Sequence, residues 1–453
     1  MYECLRGVQD SFVLVVLDWR RSQGATLQWG GYPMAVSRQE ACETALRQGA
    51  AWLIEQAQIP VGGRTSAPFD DPLAYPHGDY AGAIRTEYDT KTRRWGANGP
   101  TWHAGQAICA ILVVERRLGD ARYRAAALAA GEFVLRERLT EPAEVAGMLL
   151  TYEGDNIHVN VEVGFEGISG LLDLHTATGD RRWLDASRDA ADALLGGYLP
   201  EEGLARDHYH VGRGEFVGDP ENPNPGRAML DDATLAKLAA ATGDERYADL
   251  FLTMADRLLR EEGPTGTWLR FPPWRPELGR VHGRKSWWWG WPLLAAYDLA
   301  QARGDANAER FLAGATRAAE WYLRGQNLDG GAYYTPNTAG QHNSYGLCTS
   351  VSAVSILFWA DLWRRTGDPR WLPAIRRAVG YLLRAQFAPD VEDPNVRGAF
   401  FESPNKPDGS LAPGFQVRDI ATIFGIRALD TVLDIPELLA AEGEEWADTT
   451  MKW

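Results

Sequence analysis

Chemistry in this chain would start from carboxylates placed close to a recurring turn. Asp231 and Asp232 lie in "LDDATLAKLAAATGDERY" (230–247), and Glu162 lies in "NVEVGF" (160–165). Carboxyl groups sharing a dry pocket can divide acid and base roles, because desolvation and a like charge keep one of them protonated near neutral pH. That is the equipment for acid-catalysed cleavage of a sugar linkage. Consecutive residues cannot both face one pocket, so either Asp231 or Asp232 is expected to be the acid/base, with Glu162 as its partner. Glu166, one helical turn further on, is a lesser candidate.

A second set suits proton transfer at carbon. "DHYH" (207–210) supplies His208 and His210, and "QHNSY" (341–345) supplies His342, Asn343 and Tyr345. His103 follows Trp102, while Arg284, Lys285 and Arg418 stand at expected helix starts. Arg or Asn can neutralise a uronate carboxyl while His or Tyr moves the adjacent proton. Four tryptophans crowd "WWWGW" (287–291). Trp287 and Trp289, with Trp102, are expected as stacking surfaces for sugar rings. Phosphate-loop, dinucleotide, nucleophile-elbow and zinc-protease motifs are absent, so no cofactor and no metal is expected. "DPENPNPG" (219–226) and "DVEDPNVRG" (390–398) read as turns rather than calcium loops.

The positioning elements emerge from a repeat. "LGDARY", "TGDRRW", "TGDERY", "RGDANA" and "TGDPRW" place aspartates at 120, 180, 244, 305 and 368, at intervals of 60, 64, 61 and 63 residues. Gly ends one helix in a left-handed cap and Asp caps the next, which sets two helices antiparallel. Helices after each turn are amphipathic and form an outer layer, near 38–58, 121–138, 181–196, 245–261, 306–325 and 369–386. Those before it are apolar or small nearly all round and form an inner layer, near 101–118, 161–178, 227–242, 286–303, 344–366 and 416–432. Six of each predict an all-α fold, a closed (α/α)6 barrel. Every long connection then lies on one face, above the positive ends of the inner helices, together with seven of the eight histidines.

This pattern resembles the six-hairpin glycosidase-like enzymes of carbohydrate metabolism over about residues 38 to 435. Within them, "NVEVGF", "LDDATLAKLAAATGDERY" and "WWWGW" look like the unsaturated glucuronyl and rhamnogalacturonyl hydrolases. The resemblance puts Glu162 in place of the first aspartate and Asp231 or Asp232 in place of the catalytic one. Spacing departs from that family, since Glu162 precedes Asp180 by 18 residues and Asp231 precedes Asp244 by 13. Arg227, 17 residues before Asp244, takes the level expected of the acid. "WHAGQAI" (102–108) looks like a helix start of C5-epimerase-like domains, which keeps a lyase or uronyl C5-epimerase as the alternative. A carbohydrate-binding toroid without turnover is the third reading.

Composition excludes other classes. A net charge of -15 argues against nucleic-acid and anionic-membrane partners, and the small saccharide expected as ligand is what the carboxylates and the resemblance imply. Four separated cysteines and the short apolar run "SFVLVVL" lead to an expectation of a soluble, cytoplasmic protein. The expected division is an appendage or misassigned start at 1–36, a barrel at 37–435 and an acidic tail at 436–453.

Overall fold

The computed structural model describes residues 37–60, 79–96, 99–152, 157–271, 274–275, 280–334, 336–338, 346–403 and 416–439. The outer layer is α1 (Arg38–Trp52), α3 (Ala121–Arg136), α5 (Arg181–Leu195), α7 (Glu245–Glu261), α10 (Glu309–Gly325) and α12 (Trp371–Arg384). The inner layer is α2 (Pro100–Leu118), α4 (Val161–Thr178), α6 (Thr234–Thr242), α8 (Lys285–Gly290) running into α9 (Pro292–Ala302), α11 (Thr349–Thr366) and α13 (Asp419–Leu433). α13 packs on both α1 and α2, which closes the ring. Helices this apolar on all sides need neighbours on all sides, and the two layers supply them. No described helix is long and apolar enough to cross a membrane.

The Gly-Asp turns form as their residues dictate. Gly119, Gly179, Gly243 and Gly367 adopt φ of 67 to 73°, and the following aspartates accept a backbone N–H at 2.9 to 3.0 Å. The arginine two residues on lies over the next aromatic ring, as Arg182 does over Trp183 (4.1 Å) and Arg370 over Trp371 (4.4 Å). Those rings are buried between the layers. One motif thus carries the cap, the turn and the interlayer contact.

Three elements depart from the expected boundaries. The third inner helix does not begin at 227: α6 follows a single 3-10 turn, Asp231–Ala233, in which Asp232 (φ 51°) and Ala233 (φ 53°) are both left-handed. α11 and α13 start at Thr349 and Asp419, a few residues later than the apolar pattern suggested. Five small antiparallel sheets decorate the long-connection face; one pairs Glu87 with Arg418, another His158 with His210 and Asn160 with His208. Pro436–Leu439 forms a further turn with Leu438 buried, so the barrel extends through 439. Residues 1–36 and 440–453 lie outside the described residues.

Glycine sets the approach of α2 to α4. A Cβ on Gly105 would stand 2.6 Å from Gly167 Cα, and one on Gly170 would run into the Gly105 carbonyl. Contact at that distance tolerates only hydrogen. Gly105→Ala is therefore expected to cost about 1–3 kcal/mol in chemical denaturation and to weaken ligand binding as well. Gly243→Val, where a Cβ meets nothing within 4 Å but φ is 73°, is expected to cost about 1–3 kcal/mol through backbone strain while leaving ligand affinity unchanged.

Candidate active site

The inner helices begin in two tiers. Trp102, Glu162 and Arg227 stand 18, 18 and 17 residues ahead of their turn aspartates, and Gln106, Glu166 and Asp231 stand 14, 14 and 13 ahead. Residues of one tier meet across the ring. In the upper tier Arg227 pairs with Glu162 and Asp207, and with Asp219 at 3.0 Å. In the lower tier Gln106 Nε2 donates to Glu166 Oε2 (3.1 Å) and to Asp232 Oδ2 (2.5 Å), and Trp102 reaches down from the upper tier, its Nε1 donating to Glu166. The spacing anomaly of the sequence has a structural counterpart. Arg227 occupies the acid's level as the counter-ion of Glu162, and Asp232, next to Asp231, shares the Gln106 amide with Glu166.

Asp231 is the exception among these carboxyls. Only 1% of its surface is exposed, and neither oxygen has a hydrogen-bond partner from any other described residue. Burial first, then the nearby Glu162, Glu166 and Asp232, push its pKa well above the ordinary carboxylate range. Burial and Asp232 raise Glu166 similarly. The arrangement therefore holds at least one proton at neutral pH.

A cationic group faces this acid cluster. Arg284 is buried, with its Nε and Nη1 unpartnered among the described residues, 6.0 Å over the Trp102 ring and 5.4 Å over Trp288. Arg418 Nε is likewise buried without a partner. Between them His282 stacks on Trp288 (4.7 Å) and meets Tyr334 edge-on (5.0 Å). Its Nδ1 accepts the Arg284 backbone N–H at 3.2 Å, and burial with the adjacent cations drives its pKa well down, so the ring is neutral. Sequence reasoning counted His282 only as a long-loop histidine and passed over Gln106 except as part of a motif. Their places two residues before Arg284 and one turn after Trp102 were the available signal.

Other expected residues have different places. Lys285 is fully buried, its amine donating to the Phe271 carbonyl, and burial lowers its pKa far below the usual lysine value. With its amine committed to that carbonyl, it is not the free carboxylate clamp that was expected. Trp289 is 0% exposed and packs against Trp268 and Phe271, which makes it core rather than a sugar platform. Trp287 stacks on Trp291 (4.5 Å) and is also buried, leaving Trp288 and Trp291 as the half-buried indoles of the run, of which Trp288 lies against Arg284 and His282. His103 is buried with Nδ1 2.7 Å from Asp419 Oδ2. His208 and His210 cluster with His158 on one small sheet, and burial lowers the His208 pKa. His342, Asn343 and Tyr345 lie outside the described residues.

No family model matches this chain, and no curated protein matches its sequence. Solved structures do match in fold. An unsaturated glucuronyl hydrolase from Bacillus sp. GL1 superimposes with a TM-score of 0.57 at 16% identity, over 86% of this chain and 96% of that one. The fold is the six-hairpin (α/α)6 toroid. A cellobiose 2-epimerase from Spirochaeta thermophila gives 0.58 at 15% identity over 88% and 100% of the two chains. A D-mannose isomerase gives 0.63 at 13% identity over 89% and 99%. In this six-hairpin toroid the left-handed pair Asp232–Ala233 is the backbone feature that bends the carboxyls into the lower tier. Ala233→Gly should raise stability by about 1 kcal/mol in urea unfolding, since glycine adopts that φ without cost. An unchanged midpoint would mean that the pair is not held left-handed.

Proposed function

We propose that this chain is an enzyme, a glycoside hydrolase acting on a short, uronate-containing saccharide. The observation that carries the reading is the Asp231 carboxyl, buried and undonated beside Glu166, which in turn lies near the unpartnered guanidinium edge of Arg284. Asp231 protonates the departing glycosidic oxygen, and a carboxylate of the cluster takes the proton of the attacking water. Against the expectation that consecutive aspartates cannot share one pocket, the left-handed backbone at 232–233 leaves Asp232 on the Gln106 amide of the same cluster, and it is the better placed for the second role because Glu162 is held by Arg227. Arg284, with Arg418, receives the uronate carboxylate through N–H groups that no protein acceptor uses. Trp102 and Trp288 offer ring faces beside it. Similarity of fold to an unsaturated glucuronyl hydrolase supports a uronyl substrate.

The test is a panel of saturated and 4,5-unsaturated uronyl oligosaccharides, scored for new reducing ends. Asp231→Asn is expected to lower kcat about 10²–10⁴-fold, the usual worth of a general acid. Full activity in Asp231→Asn would overturn the assignment. Because the raised pKa keeps Asp231 protonated, activity should be present at low pH and fall as pH rises through that pKa. Asp231→Asn should abolish this basic limb. Arg284→Met should raise KM for uronyl substrates at least tenfold and leave neutral saccharides unaffected, on the scale of a lost charge-assisted pair.

One observation favours a second reading, epimerisation or isomerisation: neutral His282, stacked on Trp288 beside Arg284, is equipped to move a proton at carbon. Fold similarity to the cellobiose 2-epimerase and D-mannose isomerase is in keeping with it. Such an enzyme converts sugars without raising the count of reducing ends. A lyase would instead create absorbance from a conjugated uronate double bond, and a binding toroid would be stabilised by sugars without product.

A further inference from the structure

The upper tier fixes Glu162, but nothing so far explains what keeps the lower-tier carboxyls in distinct states. The answer lies on the opposite side of the ring. Arg427, on α13, donates from Nη1 to Gln106 Oε1 at 3.1 Å, and its guanidinium also lies 5.4 Å from the Phe424 ring. Gln106 is wholly buried on α2 and uses its Nε2 for Glu166 and Asp232. An amide in that position has two orientations, one presenting N–H to the carboxylates and one presenting its oxygen. Arg427 carries donors only, so it accepts only the first. It also satisfies an oxygen that would otherwise be buried without a partner, an omission costly enough to pull the side chain elsewhere. The chain of bonds runs from α13 through α2 to α4 and the 3-10 turn, and it stops at Asp232 and Glu166. Asp231 receives nothing from it.

We propose that Arg427 is a positioning residue, which locks the Gln106 amide so that Glu166 and Asp232 act as hydrogen-bond acceptors while Asp231 is left as the carboxyl that carries the proton. Arg427 is half-buried and its hydrogen bond goes to Gln106 rather than to a carboxyl of the cluster, so its effect passes through Gln106. This rests on Asp231 being the acid, and the experiment separates the two claims.

Arg427→Met and Arg427→Lys are compared with the parent in the full chain, with Gln106→Met as a second route to the same lesion. Where the reading holds, Arg427→Met lowers kcat about tenfold with KM within twofold and displaces the basic limb of the pH profile, on the scale of one lost charged hydrogen bond. Arg427→Lys, which keeps a donor, restores most of the rate. A readout free of turnover is the pH dependence of the stability change caused by Asp231→Asn, measured with and without Arg427. Asp231→Asn should flatten the pH dependence strongly in the parent and weakly in Arg427→Met, because the proton is no longer confined to Asp231. If Arg427→Met does not fold, Gln106→Met must show the same loss of confinement. Unchanged pH profiles and unchanged linkage in folded Arg427→Met or Gln106→Met would overturn the positioning role. Full activity in Asp231→Asn, by contrast, would remove Asp231 as the acid while the linkage comparison still decides whether Arg427 confines the proton.

Discussion

Four carboxyl groups in one water-poor pocket cannot all be charged, and this constraint organises the rest of the molecule. Glu162 is compensated by Arg227, which is itself held by Asp207 and Asp219. Glu166 and Asp232 share the Gln106 amide. Each compensation requires two inner helices to meet at one level, which the closed ring enforces. The glycine contact between α2 and α4 brings Gln106 within reach of Glu166, and the left-handed pair at 232–233 lies at the second pair of carboxyls, Asp231 and Asp232. Backbone strain of that kind persists only where surrounding contacts over-determine it.

Much of the architecture was legible because one local motif carries it. Gly-Asp-x-Arg-aromatic encodes a cap, a turn and an interlayer packing residue within five positions, so its repetition reports the ring directly. The count of residues back from each aspartate even carried the tiers, since helical rise is constant. The aspartates fell out of step with Glu162 for a physical reason, since Arg227 takes that level and Asp232 shares the Gln106 amide with Glu166 below it. What could not be read was local backbone geometry that defies propensity. Nothing about Asp232 or Ala233 announces a left-handed pair, so the third inner helix was drawn several residues too long. The tryptophan run misled for another reason: on an inner helix every direction is covered, and sequence does not say which direction is the lumen. Trp289 points to Trp268 and Phe271, and Trp288 points to His282. Lys285 looked like a clamp by charge alone, while burial against a carbonyl decides its state.

The same toroid carries enzymes named as hydrolases, epimerases and isomerases, so the scaffold does not choose the reaction. Here the choice rests with side chains on the first turns of the inner helices, where Trp102 donates to Glu166 and its ring lies beside the Arg284 guanidinium. An arrangement of this kind separates charge before any ligand arrives, so little reorganisation is needed when one does.

Five Gly-Asp turns each close one hairpin of an inner and an outer helix, and the sixth such pair is α13 against α1, two helices from opposite ends of the barrel sequence that no Gly-Asp turn joins. The ring is therefore closed there by noncovalent contacts, helix packing together with the Glu87–Arg418 strand pairing and the Arg427–Gln106 bond. Any exposed Gly-Asp turn could trade places with that seam: a chain opened at Gly243 and joined between residues 439 and 37 would carry the same set of interhelical contacts in a different order. Topologically the molecule is a circle with a movable cut, and the order in which its hairpins are written along the chain is independent of the pocket they enclose.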